Sequence, residues 1–173
     1  MGLFYDVFET TWGWVGAVSS EKGLRYASLP EESPDRAVEY LTTALKGALP
    51  EHRPGALDHF KTQVEQYLGG ERTDWDVALD IDDATDFFKR AWEACQTIPP
   101  GETRSYQWLA EQAGKPAASR GAGQAMARNR VPLVIPCHRV IGSNGALHGF
   151  GGPGLPLKAR LLAHERELAA RQA

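Results

Sequence analysis

The sequence predicts an α/β (α+β) protein in two parts: an N-terminal domain at 1–82 with a small antiparallel sheet and helices, and a mostly helical domain at 83–173 with a helix-turn-helix. Three observations carry this expectation. The chain has 173 residues, 42% hydrophobic and 24% charged, an ordinary globular composition with room for one or two cores. Strand-like alternation dominates the start, and helical spacing dominates the second half. The charge is also divided. Residues 1–86 carry seven Lys/Arg against 17 Asp/Glu, a net −10, whereas 87–173 carry 12 against five, a net +7, within a total of −3. Two units with the basic one facing a polyanion would explain this, and so would charge segregation that docks the halves together.

In the first part, Leu3 to Glu9, Trp14 to Ser19 and Leu24 to Leu29 read as short strands, and Ser20-Glu21-Lys22-Gly23 supplies a turn, so a β-meander is expected. Ser33-Pro34 opens a helix, with Ser as N-cap and Pro at the first helical position. Ala37, Leu41, Ala44 and Leu45 keep helical spacing, and Gly47 follows the end. A second helix carries Leu57, Phe60, Val64, Tyr67 and Leu68 before Gly69-Gly70 stops it. Trp75, Val77, Leu79 and Ile81 then alternate with Asp74, Asp76, Asp80 and Asp82, a strand with one wet face. The acidic stretch Asp80 to Asp86 reads as the linker.

Several classes are excluded. No apolar run approaches the roughly 20 residues that span a bilayer. The opening MGLFYDVFETTW has acids and no basic region, against a secretory signal. Two cysteines, Cys95 and Cys137, rule out a disulfide framework and a four-Cys zinc site. A soluble intracellular protein with no membrane partner is expected.

The second part opens on a helix with Phe87, Phe88, Ala91, Trp92 and Cys95 on one core stripe, which makes Cys95 a buried, inert thiol. Ile98-Pro99-Pro100-Gly101 is a hard break. Ser105 to Gln112 forms a short helix, Ala113-Gly114-Lys115 a turn, and Pro116 opens a helix to about Ala127, the spacing of a helix-turn-helix. That last helix is made of small residues: Ala117, Ala118, Ser119, Gly121, Ala122, Gly123 and Ala125. Two glycines in a helix cost roughly 1 kcal/mol each against alanine. Something comes close to that surface, either another helix or a nucleic-acid backbone and groove, and Arg120 protruding from it favours the latter.

Chemistry concentrates in Val134 to Ile141, where Cys137 and His138 are adjacent. Around a turn or at a helix start the imidazole approaches the thiol directly or through a water. A thiol of pKa about 8.5 needs an activating base or positive field to ionise near neutrality. Arg128, Arg130 and Arg139 flank it. Pro156 opens a last helix whose Leu157, Leu161 and Leu168 share an arc of about 40°. Glu165 lies on that inward arc and needs a partner. Two remain open: His138, giving a Cys-His-Glu relay, or a structural ion pair with a nearby arginine.

Pro136-Cys137-His138-Arg139-Val140 resembles the active-site signature of the O6-alkylguanine-DNA alkyltransferases. Ile98 to Tyr106 is similar to the family's segment leading into its helix-turn-helix, and Ser119 to Met126 to its recognition helix. Asn129, eight residues before Cys137, and Leu161-Leu162-Ala163-His164-Glu165 also match. The resemblance covers 87–168 and implies direct-reversal DNA repair: irreversible transfer of an alkyl group from O6-alkylguanine, and from O4-alkylthymine, to Cys137. It implies that His138 acts through a water as base with Glu165 behind it. Tyr106 turns the 3′ phosphate of the target and protonates or hydrogen-bonds the guanine ring nitrogen, and Asn129 holds the Cys-bearing loop. Arg120 fills the stack when the nucleotide flips out. Ala118, Ser119, Gly123, Arg104 and Arg128 face DNA, with the small helix in a minor groove roughly 6 Å wide. Met126, Val140, Leu147, Phe150 and Gly151 wall the pocket. No metal and no cofactor are implied. The expected partner is double-stranded DNA carrying the lesion, bound by a monomer in the cytoplasm.

The sequence also departs from the family pattern. Arg130 follows Asn129 where many relatives have Pro, which implies a loop of different rigidity; Phe150 stands where Tyr is common and Gly151 where Ser is common, which removes one hydroxyl from the pocket rim and implies room for larger adducts. The zinc site of some relatives needs N-terminal cysteines that this chain lacks, and His52 and His59 read as solvated helix or loop residues. A non-catalytic alkylated-DNA binding protein of the same fold would replace the acceptor cysteine. A Cys-His hydrolase fits the basic helix-turn-helix poorly, and a plain DNA-binding regulator leaves Cys-His-Glu unexplained.

Overall fold

The computed structural model describes residues 2–148 and 154–172, which form two compact units, Met1–Ile81 and Asp82–Ala173. Phe150 and Gly151 lie outside the described residues. No described helix is long and apolar enough to cross a membrane.

The first unit is built on the expected meander: β1 (Phe4–Thr10), β2 (Gly13–Ser20) and β3 (Gly23–Ala27) pair antiparallel with β2 in the middle. β2 is the central strand because its run Val15 to Ser19 is buried on both faces. Helix α1 (Pro34–Ala44) covers it, capped by Ser33 with Pro34 in the first turn. Gly16 allows the close approach, since a Cβ there would lie 2.9 Å from Leu41 Cδ1. The sheet is mixed rather than wholly antiparallel, because the two-residue β4 (Glu51–His52) pairs parallel with β1. His52 is thus on a strand, stacked on Tyr5, and His59 lies in α2 (Asp58–Leu68), its Nε2 2.8 Å from the Asp76 carbonyl.

The expected strand at Trp75–Ile81 does not form; only a single bridge joins Leu79 to Leu24. Side chains take the backbone groups a neighbouring strand would use. Gln63 Oε1 accepts from Asp76 N at 2.8 Å and Gln63 Nε2 donates to Asp76 O at 3.0 Å. Asp80, expected on the wet face, is buried, accepting from Ser20 Oγ at 2.5 Å with Arg25 at 3.4 Å.

The second unit starts with α3 (Asp86–Cys95), which buries Ala91, Trp92 and Cys95. It packs on α4 (Tyr106–Gln112) and α5 (Ser119–Ala127), the two helices of the expected helix-turn-helix. Trp92 fixes α5 by donating its indole N–H to the Ala125 carbonyl at 2.8 Å. α5 begins at Ser119 and not at Pro116, because Gln107 at the start of α4 holds the intervening turn open. Its Nε2 donates to Pro116 O at 2.8 Å, and its Oε1 accepts from Ser119 Oγ at 2.7 Å. A parallel ladder unseen in the sequence pairs β5 (Arg104–Ser105) with β6 (Val140–Ile141). β5 runs directly into Tyr106, and β6 leaves the 3-10 turn Cys137–Arg139. The ladder therefore brings the start of α4 beside the Cys-His segment. The last helix, α6 (Leu155–Gln172), closes the core with Leu157, Lys158, Leu161, Leu162, Glu165 and Leu168.

Candidate active site and DNA-binding face

The loop from Asn129 to Pro136 delivers the cysteine. Asn129 is buried and ties the loop ends: its Nδ2 donates to Ile135 O at 2.7 Å, and its Oδ1 accepts from Val131 N at 3.0 Å. Leu133 at the tip has φ +75°, a left-handed conformation that costs a non-glycine residue about 1–3 kcal/mol and persists only where the surroundings impose it. Arg130 anchors the loop by an ion pair to Asp83 at 2.7 Å and by lying over the Trp92 ring.

Cys137 and His138 are both buried. His138 Nε2 lies 2.8 Å from Glu165 Oε2, and the same carboxylate is clamped by Arg139, Nε to Oε1 at 2.8 Å and Nη2 to Oε2 at 2.7 Å. Both partners left open for Glu165 are realised at once. Burial alone would raise the Glu165 carboxyl, but the hydrogen bonds from Arg139 and His138 outweigh it and hold it well below the usual carboxylate range. An ionised carboxylate accepts only, so Nε2 carries the His138 proton and Nδ1 the lone pair. Nδ1 is buried with no hydrogen-bond partner among the described residues. Burial lowers the His138 pKa despite Glu165, so the ring is neutral at pH 7.

Burial pushes the Cys137 thiol up, against the expectation of a thiol lowered by flanking arginines. The Asn129 amide, hydrogen bonding to sulfur, and the charge of Lys158 pull it back. Arg139 is committed to Glu165 and, through Nη1, to the Ile98 carbonyl at 2.6 Å. Lys158 was missed in the sequence, although it lies seven residues before Glu165 on the same face of α6.

Tyr106 and α5 line a cavity of about 720 Å³ with Gln107, Ser119, Arg120, Gly123 and Gln124, closed on the other side by Gly142–Asn144 and His148. Burial, then the Cys137 charge, raises the Tyr106 pKa, so its hydroxyl keeps its proton at neutral pH. Arg120 is exposed, with no hydrogen-bond or ion-pair partner among the described residues. The small residues divide by role: a Cβ on Gly121 would meet the Phe87 ring at 3.2 Å, so this glycine serves helix packing, whereas one on Gly123 meets only Tyr106 at 4.0 Å. Other expected residues do not line this cavity. Met126, Val140 and Cys137 are buried, Leu147 and Ala118 half-buried, and Arg128 exposed. Arg104 is held by Glu102 at 2.9 Å and lies over Trp108.

Two predictions arise from this geometry. Gly123→Ala should stabilise the unit by about 1 kcal/mol through helix propensity and slow reaction with duplex DNA several-fold by filling the binding face. Thermal unfolding with a duplex assay checks both, and an unchanged duplex rate would remove Gly123 from that face. The second concerns pH. His138 is neutral when folded but takes up a proton near pH 6.5 when unfolded, so stability falls as pH drops below that value. The depressed Glu165 adds a further loss below about pH 4.5. The melting temperature should therefore decline steadily from pH 7 to pH 4, and a flat profile would contradict these two assignments.

Residues 86–167 match the family model described as the DNA-binding domain of 6-O-methylguanine DNA methyltransferase. The methylated-DNA–protein-cysteine methyltransferase of Mycobacterium tuberculosis is 47% identical over 116 residues, 67% of this chain and 69% of the relative. That of Methanosarcina acetivorans is 36% identical over 166 residues, 94% of this chain and 98% of the relative. The crystal structure of M. tuberculosis O6-methylguanine methyltransferase superposes with TM-score 0.78 at 35% identity, covering 95% of this chain and 93% of that one. The same M. tuberculosis protein in complex with DNA gives TM-score 0.80 at 34% identity, covering 95% and 94%. With its Cys-His-Glu constellation, its helix-turn-helix and these relationships, the chain belongs to the methylated-DNA–protein-cysteine methyltransferases.

Proposed function

We propose that, in the DNA-repair alkyl transfer of this family, Cys137 is the acceptor and O6-alkylguanine in double-stranded DNA the substrate, with O4-alkylthymine a second one. The observation that carries this reading is the order Arg139–Glu165–His138, which leaves a buried imidazole lone pair on Nδ1 in the residue next to the thiol. That lone pair takes the Cys137 proton through one water, and Glu165 stabilises the imidazolium that forms. Sγ then attacks the alkyl carbon. The S–C bond forms as the C–O6 bond breaks, the electron pair stays with the guanine, and Tyr106 gives its proton to the ring nitrogen. A thioether does not hydrolyse under these conditions, so each chain reacts once.

A base inside a duplex cannot reach a buried thiol, so the target nucleotide flips out at a cost of a few kcal/mol. Arg120 takes its place in the stack, and α5 enters the minor groove with Gly123 forward and Ala118, Ser119, Arg104 and Arg128 towards the backbone. Asn129 holds the loop, and Met126, Val140, Leu147, Phe150 and Gly151 wall the pocket. Residues 83–173 form the DNA-binding and transfer domain, residues 1–82 a separate N-terminal domain, and the chain acts as a monomer. The test is transfer of a labelled methyl from an O6-methylguanine duplex, followed by peptide mapping. Label in the Cys137 peptide and none in the Cys95 peptide is expected. Binding with no label in either peptide would mark a non-catalytic damage binder.

A further inference from the structure

His148, on the loop after β6, faces the cavity from the side opposite α5. Its main chain is pinned, because Lys158 Nζ donates to the His148 carbonyl at 3.1 Å. Its side chain is exposed, with the ring 6.1 Å from the Tyr106 ring and tilted 56° to it. Gly142 leaves the space that the imidazole occupies, since a Cβ there would lie 2.7 Å from His148 Nε2. Neither ring nitrogen has a hydrogen-bond partner among the described residues. Packing therefore places the ring and leaves both of its nitrogens uncommitted. The lining of the cavity selects the kind of ligand they meet. Arg120 contributes a guanidinium, Tyr106, Gln124, Ser143 and Asn144 contribute neutral polar groups, and none of the described lining residues carries a carboxylate. In a chain with 22 Asp/Glu this is not the general condition. A second cavity, along α2, is lined by Asp58, Glu65 and Glu71 beside Lys61. The cavity at His148 suits an anion.

We propose that His148 is a DNA-backbone ligand: as an imidazolium it binds a phosphate of the duplex, across the cavity from Arg120. This rests on the proposed seating of α5 on the duplex. The charged and titratable groups around the ring are Tyr106 on α4, Arg120 on α5 and Lys158 on α6, and residues 142–147 carry none. Tyr106 keeps its proton at neutral pH. The ring therefore has neutral or positive groups around it, and a phosphate supplies the missing counter-charge. Imidazoles change charge between about pH 5 and 8, and an anion within about 4–6 Å favours the charged form. In that form both nitrogens donate, which matches the oxygens of a phosphodiester. Arg120 is charged at every working pH, whereas the charge on His148 switches. The protein therefore neutralises one more phosphate in mild acid than in mild base. His148 touches the backbone and not the reacting atoms, so it acts on binding and leaves the chemistry at Cys137 to other groups.

The test uses an undamaged duplex, so it does not depend on which lesion is repaired. The affinity is measured against salt at pH 6 and pH 8 in wild type, His148→Gln and His148→Arg. Counterion release makes log K fall against log salt with a slope of about −0.9 per neutralised phosphate. The wild-type slope should be steeper at pH 6 than at pH 8 by about 0.9. His148→Gln, which cannot charge, should show the shallow slope at both pH values. His148→Arg, which is always charged, should show the steep slope at both. A wild-type slope that ignores pH, or a pH dependence that survives in His148→Gln, would overturn the proposal. A measurement on unaltered protein guards against misfolding of the variants. The His148 imidazole, followed by NMR at its Cε1 proton, should titrate at higher pH with the duplex bound than without it. An unchanged His148 midpoint would also overturn the proposal. Failure to bind any duplex would remove the DNA reading and this proposal together. If the slope changes as expected but no methyl moves from DNA, the phosphate contact stands and the substrate reading fails.

Discussion

Replacing Cys137 with alanine should abolish alkyl transfer and leave duplex binding intact. The thiol is the only proposed acceptor, and no neighbouring group can substitute for it. Cys95, the other thiol, is fully buried with its pKa pushed well up. The expected binding face, α5 with the exposed Arg120, is separate from the Cys137–Arg139 turn. Removing one small buried group costs only about 1 kcal/mol of packing. Glu165→Gln should act by degrees. It keeps the shape but leaves the Arg139 guanidinium buried against a neutral amide, and breaking such a pair costs about 3–5 kcal/mol. It also frees the His138 tautomer and withdraws support from the imidazolium. Transfer at neutral pH should fall about tenfold or more, with a smaller loss at high pH where the thiol ionises unaided. A destabilised Glu165→Gln protein that transfers at the wild-type neutral-pH rate would make the carboxylate purely structural.

Arg120→Ala should slow reaction with duplex DNA by an order of magnitude or more and leave reaction with a free O6-alkylguanine base nearly unchanged. Arg120 lines the cavity beside Tyr106, exposed and without a hydrogen-bond or ion-pair partner among the described residues. Its loss therefore removes no contact that holds the fold. Flipping a nucleotide costs a few kcal/mol, and a planar guanidinium in the vacated stack recovers part of that by hydrogen bonding and cation–π contact. Losing roughly 1.4 kcal/mol of this support is a tenfold change in rate. Lysine keeps the charge without the planar fork, so Arg120→Lys should be impaired as well. Equal slowing on duplex and free base would place Arg120 in support of the active site instead.

Much of this architecture was legible because short-range rules decided it. Ser33 caps α1 ahead of Pro34, the meander turns where its turn residues lie, and the periodicity of α6 turns Glu165 inward. What escaped depends on partners distant in sequence. The alternation at Trp75–Ile81 signals a strand, yet Gln63, 13 residues from Asp76, takes its backbone bonds. Pro116 looks like a helix start, but Gln107 holds it in a turn. The β5–β6 ladder joins two-residue segments too short to show a period. At the site, residue types and spacing pointed to Cys137, His138 and Glu165, but not to which imidazole nitrogen faces the carboxylate. Nor did they reveal that Arg139 and His138 share that carboxylate. Lys158 was readable in principle from its shared face with Glu165, but a lysine at that spacing ordinarily snorkels to solvent.

The most direct measurement of one-shot transfer to Cys137 is the intact mass of the protein after mixing with a duplex holding a single O6-methylguanine. The expected result is a gain of one methyl per chain, complete at one equivalent of duplex and unchanged by any excess, with no gain in Cys137→Ala. A wild-type mass that stays unchanged while the duplex loses its methyl group would instead mean hydrolysis with turnover, and would contradict the account.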